Sequence, residues 1–294
     1  MKKISKILLS ALALVSITAC GANKNETSEK TDTANNEVVD NFKDRDEIKL
    51  GVIGENNEVW EDVAKRYEEG TGKKLTIVSF SEYREPNEAL LSGDIDLNAF
   101  QHKIFLQNFN DQSGSDIVSI GDTAIAPLGI YSSTITDLKD LKDGARVTLP
   151  DDPSNGARAL FLLQSAGLIE VNGKEGDLIT LKDITANPKN LDLIEMSAAQ
   201  TARSLDDADI AVINSGLAVD AGFIPTEDAI YLEDYKDPAK DIYVNVIAAR
   251  NEDKDSPTLK DLVENYYQTA ETAKITKEVS KGSSVPVFDY EENK

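Results

Sequence analysis

From residue 48 onward the chain alternates short apolar runs, typical of strands, with longer stretches whose apolar residues recur at helical spacing. The first strands are predicted at 48–53, 75–80 and 95–100. Between the first two, Val59, Val63 and Tyr67 share one face of a helix that ends near Gly70. This strand-helix-strand order with short connections favours an α/β fold with a mostly parallel sheet covered by helices.

A second set of the same kind follows. Its strands are predicted at 145–149, 191–196 and 209–213, and its helices at 157–166 and 197–205. Two extended apolar segments, 124–132 and 242–249, join the sets, and a helical stretch at 259–279 would return to the first. We therefore expect two lobes joined by two hinge crossings, with lobe 1 at 47–130 and 246–294 and lobe 2 at 131–245.

The amino terminus is typical of an export signal. Three lysines precede a short apolar run at 7–17, too short for a membrane span of about 20 residues. The order Ile17-Thr18-Ala19-Cys20 resembles a bacterial lipobox, which implies removal of residues 1–19 and acylation of Cys20. Residues 20–46 are polar and predict a flexible tether, with folding from about Ile48.

Charge and composition exclude several functions. Against 53 acidic residues stand only 31 basic ones, a formal charge of -22, which argues against nucleic acid as a partner. One Cys and one His are too few for a zinc site of three or four such ligands, and one Cys cannot form an internal disulfide. Neither a nucleophile elbow nor a complete phosphate-binding or calcium-binding loop occurs, so we expect no enzyme, no metal and no cofactor.

The turn at 150–158 joins a predicted strand to a helix. Asp152, Ser154 and Asn155 are all competent helix caps, and a helix start attracts anions. Arg158, near the first turn, opposes the helix dipole and therefore needs a negative partner. That partner could be a ligand carboxylate or one of the many surface acids.

Three other polar residues are ambiguous. His102 ends a predicted strand beside Phe100, where a lone histidine is more often a hydrogen-bonded core residue than a ligand contact. Asn214 ends another strand, and Asn245 interrupts an apolar run. Buried amides need hydrogen-bond partners, so these two side chains bind either backbone groups or a polar ligand.

Five segments together resemble the MetQ/NlpA family of methionine-binding lipoproteins, the substrate-capture subunits of bacterial ABC importers. The segments are 81–90, 93–103, 150–158, 204–214 and 243–245, and Ala99-Phe100-Gln101-His102-Lys103 is the most specific of them. The similarity spans nearly all of 48–288. It implies the two-lobed periplasmic-binding-protein fold, type II-like, in agreement with the two sets and two crossings.

The resemblance also implies a ligand site. Arg158, assisted by Asn155, would hold the methionine carboxylate, and Asn214 and Asn245 would accept hydrogen bonds from its amino group. The side-chain pocket would be walled by Tyr83, Phe100, His102 and Phe105. A thioether packs well on such rings. Phe105 differs from the Tyr expected at this position in close relatives. The turn at 150–158 differs slightly from the family pattern at residues 154, 156 and 157.

The resemblance implies a monomer that passes methionine to a membrane permease and its ATPase, held by lipid on the extracytoplasmic face of the cell membrane. One alternative is the same fold binding a methionine-containing dipeptide. Alternatives of other classes are a surface adhesion lipoprotein, which needs no closed polar pocket, and an exported hydrolase with paired carboxylates, for which no specific arrangement is present.

Overall fold

The computed structural model describes residues 39–290. The amino-terminal part of this range, up to residue 125, forms most of the first lobe. Its strands are β1 (Glu47–Ile53), β2 (Lys74–Phe80), β3 (Leu97–His102) and β4 (Val118–Ile125). Its helices are α1 (Glu58–Thr71), α2 (Glu85–Ser92) and α3 (Lys103–Ser113). Strand β1 pairs in parallel with both β2 and β3, as the alternating pattern predicts.

The middle of the chain builds the second lobe around a separate sheet. Its strands are β5 (Gly129–Tyr131), β6 (Arg146–Pro150), β7 (Glu170–Val171), β8 (Ile184–Ala186), β9 (Asp192–Met196), β10 (Ile210–Ile213) and β11 (Tyr231–Leu232). Its helices are α4 (Pro153–Ser165), α5 (Ala198–Thr201), α6 (Ser215–Asp220) and α7 (Pro225–Asp228). The sheet order is β11-β5-β10-β6-β9, and β7 pairs only with β8.

The chain then returns to the first lobe. The returning elements are β12 (Val244–Ala249), α8 (Pro257–Asp261), α9 (Ala270–Val279) and β13 (Val285–Pro286). Strand β12 runs antiparallel between β3 and β4, which gives the sheet order β13-β4-β12-β3-β1-β2. The continuous helix predicted at 259–279 is interrupted: a π-helical segment, Leu262–Tyr267, follows α8, and Thr269 caps a new helix, α9.

The two-lobed fold with two crossings is confirmed, and the crossings lie near 126–128 and 233–243. They differ slightly from the predicted divisions at 130/131 and 245/246. All of β5 pairs within the second sheet, and Asn245 pairs with His102 in the first. The sequence does not reveal where the chain passes from the first sheet to the second, because the apolar run at 124–132 is strand-like both before and after the crossing.

Folding begins earlier than predicted. Phe42, expected in the tether, is 1% exposed and packs in the first-lobe core with Ile48. Asp40 accepts hydrogen bonds of 2.7 Å from the hydroxyls of Ser256 and Thr258. These contacts with a distant part of the chain fix residues 40–46, so their polar composition did not indicate a flexible segment.

Each lobe has its own apolar core. Val147, Leu149, Leu160 and Ile210 lie in the second-lobe core, whereas Leu50 and its neighbours lie in the first. None of the helices within residues 39–290 is long and apolar enough to cross a membrane. The predicted signal segment, Cys20 and the start of the predicted tether lie outside the described residues.

Candidate functional site

A cavity of about 180 Å³ lies between the lobes, where β3, β12 and the starts of α3, α4 and α6 meet. The structure brings every predicted ligand-binding side chain to this cavity. Its lining includes Tyr83, Phe100, His102, Phe105, Asn155, Arg158, Asn214 and Asn245. These residues come from five separate parts of the sequence, so the fold assembles them rather than any single motif.

One wall of the cavity is aromatic. Phe100 near the end of β3, Phe105 in the first turn of α3 and Tyr83 before α2 pack with ring centroids 5.8 to 6.0 Å apart. Phe105 is 7% exposed, and burial strongly raises the pKa of the Tyr83 hydroxyl. The wall is therefore apolar and uncharged, suited to an apolar or thioether group.

His102 is both a structural cap and a cavity residue. Its Nδ1 accepts a hydrogen bond of 3.1 Å from the Phe105 backbone N–H, which caps α3. Its Nε2 lies 3.2 Å from Asn155 Oδ1, so Nε2 carries the proton and donates. Burial, together with the positive charge of Arg158, lowers the pKa of His102 to about 3. The ring is thus neutral near pH 7 and orients Asn155.

A chain of side chains orients the amide of Asn214. The Asp152 carboxylate accepts from the backbone N–H of Asn155 at 2.9 Å and from its Nδ2 at 3.0 Å, which leaves Asn155 Oδ1 as an acceptor. Asn214 Nδ2 donates to that oxygen at 2.8 Å. Asn214 Oδ1 is buried and has no hydrogen-bond partner within residues 39–290. A buried, unpaired acceptor beside a cavity calls for a donor from a ligand.

Helix α4 begins earlier than the sequence predicts. Asp152 caps it and Pro153 occupies the first helical position, whereas the predicted start was residue 157. Arg158 therefore lies in the second turn, not the first, and the helix dipole opposes it less than we expected. The apolar periodicity begins only at 157 because the first turn carries the polar residues Ser154 and Asn155, of which Asn155 lines the cavity.

The negative partner of Arg158 is an internal acid, Glu233. Nε and Nη2 of Arg158 bind Glu233 Oε2 at 3.1 and 2.5 Å, and both side chains are buried. Lys240 also contacts Glu233, at 3.1 Å. Burial alone would raise the pKa of Glu233, but the charge and hydrogen bonds of Arg158, the charge of Lys240 and the Leu128 N–H together outweigh it and lower that pKa to about 2. The surface-acid interpretation of Arg158 is wrong, since the pair is buried.

The Arg158–Glu233 pair contacts both crossings between the lobes. Arg158 Nη2 donates to the Ala126 carbonyl at 2.9 Å, and Glu233 accepts from the Leu128 N–H at 3.0 Å. The guanidinium also lies 4.2 Å from the ring centre of Tyr243. Arg158 Nη1 has no hydrogen-bond partner within the described range 39–290. It is the one nitrogen of this guanidinium left to bind a group in the cavity.

Direct contacts close the lobes over the cavity. Asn56 Nδ2 donates to Asp220 Oδ1 at 2.7 Å, and Ser197 Oγ donates to Glu82 Oε2 at 2.7 Å. Gly54 has φ +83°, and a Cβ there would lie 2.0 Å from Asp220 Oδ2, so this approach requires glycine. The sequence reasoning missed Asp220, Glu233 and Lys240, because isolated acids and lysines carry no local signal in so charged a chain.

The cavity therefore offers a cationic N–H group, a buried amide acceptor and an aromatic wall. Asn245, on β12, adds a second amide, whose side chain makes no hydrogen bond with residues 39–290. Such a set can bind a small zwitterion with an apolar side chain between the lobes. Two sheet-based lobes, two crossings and an interlobe cavity define the class of two-lobed, periplasmic-type substrate-binding proteins.

The chain belongs to the NlpA lipoprotein family, whose model matches residues 48–288, and the resemblance inferred from the sequence is confirmed. It is 43% identical over 246 residues to the D-methionine-binding lipoprotein MetQ of Salmonella typhimurium, covering 83% of this chain and 89% of that one.

Solved structures agree with the family assignment. One is a nutrient-binding protein from Burkholderia cenocepacia bound to methionine, at 44% identity and a TM-score of 0.77, covering 82% of this chain and 100% of that one. Another is the substrate-binding protein of a methionine transporter from Streptococcus pneumoniae, at 34% identity and a TM-score of 0.77, covering 82% and 96%.

Proposed function

We propose that this protein captures methionine between its lobes and delivers it to the permease of an ABC importer, without catalysing a reaction. The observation that carries the ligand assignment is the buried, unpaired Oδ1 of Asn214, which lines the same cavity as Arg158. The ligand ammonium would donate to Asn214 and Asn245, and its carboxylate would bind Nη1 of Arg158, assisted by Asn155, which orients Asn214 through its Oδ1. The thioether would pack against the aromatic wall.

The same assignment gives the lobes their roles. Lobe 1, at about 40–126 and 244–290, supplies the aromatic wall, His102 and Asn245, and lobe 2 supplies Asn155, Arg158 and Asn214. The hinge would lie at the two crossings, 126–128 and 233–243, so that opening the lobes separates His102 from Asn155. The protein acts as a monomer with one ligand.

The test is the identity of the ligand that the protein carries. Purified protein is unfolded, and the released small molecules are identified by mass spectrometry. We expect methionine in near-stoichiometric amount. Release of a methionine-containing dipeptide would favour the peptide-binding alternative. If nothing is released and methionine does not bind the refolded protein in calorimetry, the proposal is wrong and an adhesion role gains support.

The aromatic wall predicts discrimination against polar side chains of similar length. When glutamine binds, its side-chain amide loses its hydrogen bonds to water and finds none on the aromatic wall. We therefore expect glutamine to bind about 1 to 3 kcal/mol more weakly than methionine. Norleucine, which is apolar, should lose less than any charged analogue. Competition calorimetry on refolded, ligand-free protein measures these differences, and equal affinity for glutamine and methionine would contradict the wall's assigned role.

We further propose that Cys20 carries the lipid that holds the protein on the extracytoplasmic face of the membrane. It is the only thiol in the chain and follows a lipobox-like triplet. Cys20→Ala should prevent acylation and move the protein from the membrane fraction to the soluble fraction. Cys20→Ser is the matched control, because it keeps the size and polarity but lacks the thiol, and should behave identically. Wild-type protein that is soluble and unlipidated would contradict this.

A further inference from the structure

A second cavity, of about 480 Å³, lies between the lobes beside the first. The two cavities share three lining residues, Tyr83, Phe105 and Leu217. These side chains form a partition between the cavities: Tyr83 and Phe105 reach it from the first lobe, and Leu217 reaches it from α6 of the second.

The second cavity lies at the aromatic end of the first. The polar groups of the first cavity do not line it, namely His102, Asn155, Arg158, Asn214 and Asn245. If the ligand's charged groups bind those residues, as in the proposed function on which this inference rests, its side chain points at the partition. The second cavity is then the space beyond the end of that side chain.

The partition is held by packing and not by hydrogen bonds of its own. Phe105 meets Tyr83 edge to face at 5.9 Å, and its backbone N–H donates to the capping His102 Nδ1 at 3.1 Å. Beyond it, the second cavity is lined by apolar, neutral polar and charged residues, and the charged ones are Glu82, Arg84, Asp151 and Asp152. Phe109, Ala198 and Ala199, together with the partition itself, give the cavity an apolar part that suits the end of an extended, unbranched side chain.

We infer that Tyr83, Phe105 and Leu217 set the length of ligand side chain that the protein accepts, by closing off a second cavity that would otherwise take the end of a longer one. The ligands excluded in this way are the S-alkyl homocysteines with chains longer than methionine. In the wild-type protein the partition excludes them, and removal of one partition ring joins the two cavities.

The experiment compares methionine, ethionine and S-butylhomocysteine on the wild type and on Phe105→Ala by calorimetry. Alanine keeps the backbone N–H, and therefore the cap of α3. The wild type should bind methionine best and the butyl analogue worst. In Phe105→Ala the ratio of butyl-analogue to methionine affinity should rise by about tenfold or more, since each methylene is worth about that much in an apolar pocket.

Phe100→Ala is the matched control, because Phe100 lines only the first cavity. It should weaken all three ligands while keeping their order. Leu217→Ala repeats the test from the other lobe, in case Phe105→Ala does not fold. If the wild type binds methionine but both partition variants keep the wild-type order, the inference is wrong and the proposed function stands. If the wild type does not bind methionine, the proposed function itself fails.

Discussion

Replacing Arg158 with alanine should weaken methionine binding by about 2 to 5 kcal/mol, or about 30- to several thousand-fold. Arg158 is 3% exposed and lines the first cavity, and in the proposed function its Nη1 binds the ligand carboxylate. Without it that carboxylate would be enclosed with no opposite charge. Titration of methionine into refolded, ligand-free protein measures the loss.

Arg158→Lys should recover only part of the affinity. An ammonium keeps the positive charge but cannot bind Glu233 and a ligand carboxylate at once through a planar fork. Arg146→Ala is the control, because that arginine lies in the same lobe with its side chain half exposed, and it should leave binding within about 1 kcal/mol of wild type. Near-wild-type affinity in Arg158→Ala would place the carboxylate elsewhere.

Replacing Glu233 with glutamine should lower the free energy of unfolding by about 3 to 5 kcal/mol, because it leaves Arg158 and Lys240 buried near an uncharged amide. The loss should appear in ligand-free protein, as measured by urea denaturation. Glu195→Gln, on the exposed face of β9, is the matched control and should change stability by about 0.5 kcal/mol at most.

The effect of Glu233→Gln should depend on pH in a definite direction. The pKa of Glu233 is lowered from 4.5 to about 2 in the folded protein, so its charge stabilises the fold fully above about pH 4.5. That stabilisation is lost as the pH falls toward 2. The stability difference between wild type and variant should therefore shrink between about pH 5 and pH 3. A constant difference over this range would show that charge is not what Glu233 contributes.

Much of the fold could be predicted because its signals are local. The apolar periods that mark β1, α1 and β2 are properties of a few neighbouring residues, and the packing of these elements follows from their order. The polar site residues also stand at recognisable places, where strands end or helices begin. Asn214, for example, follows β10 and directly precedes α6.

What could not be predicted depends on contacts between distant residues. Glu233 is 75 positions from Arg158, and nothing around it distinguishes it from the other 52 acids of the 53 in the chain. The start of α4 is not predicted correctly because three residues could cap the helix. In the structure Asp152 is the cap, since its carboxylate accepts from the Asn155 N–H. The sequence predicts Phe42 in a tether because its neighbours are polar, but its ring packs in the first-lobe core.

The contacts that fix residues 40–45 to the first lobe have a mechanical consequence. The chain enters the first lobe at Asp40, and Lys73 Nζ clamps the following turn by donating to the carbonyls of Phe42, Lys43 and Arg45 at 3.1, 2.6 and 2.6 Å. A force applied at Asp40 would therefore act on the first lobe alone. The bonds that bridge the cleft, Asn56–Asp220 and Ser197–Glu82, involve none of these residues.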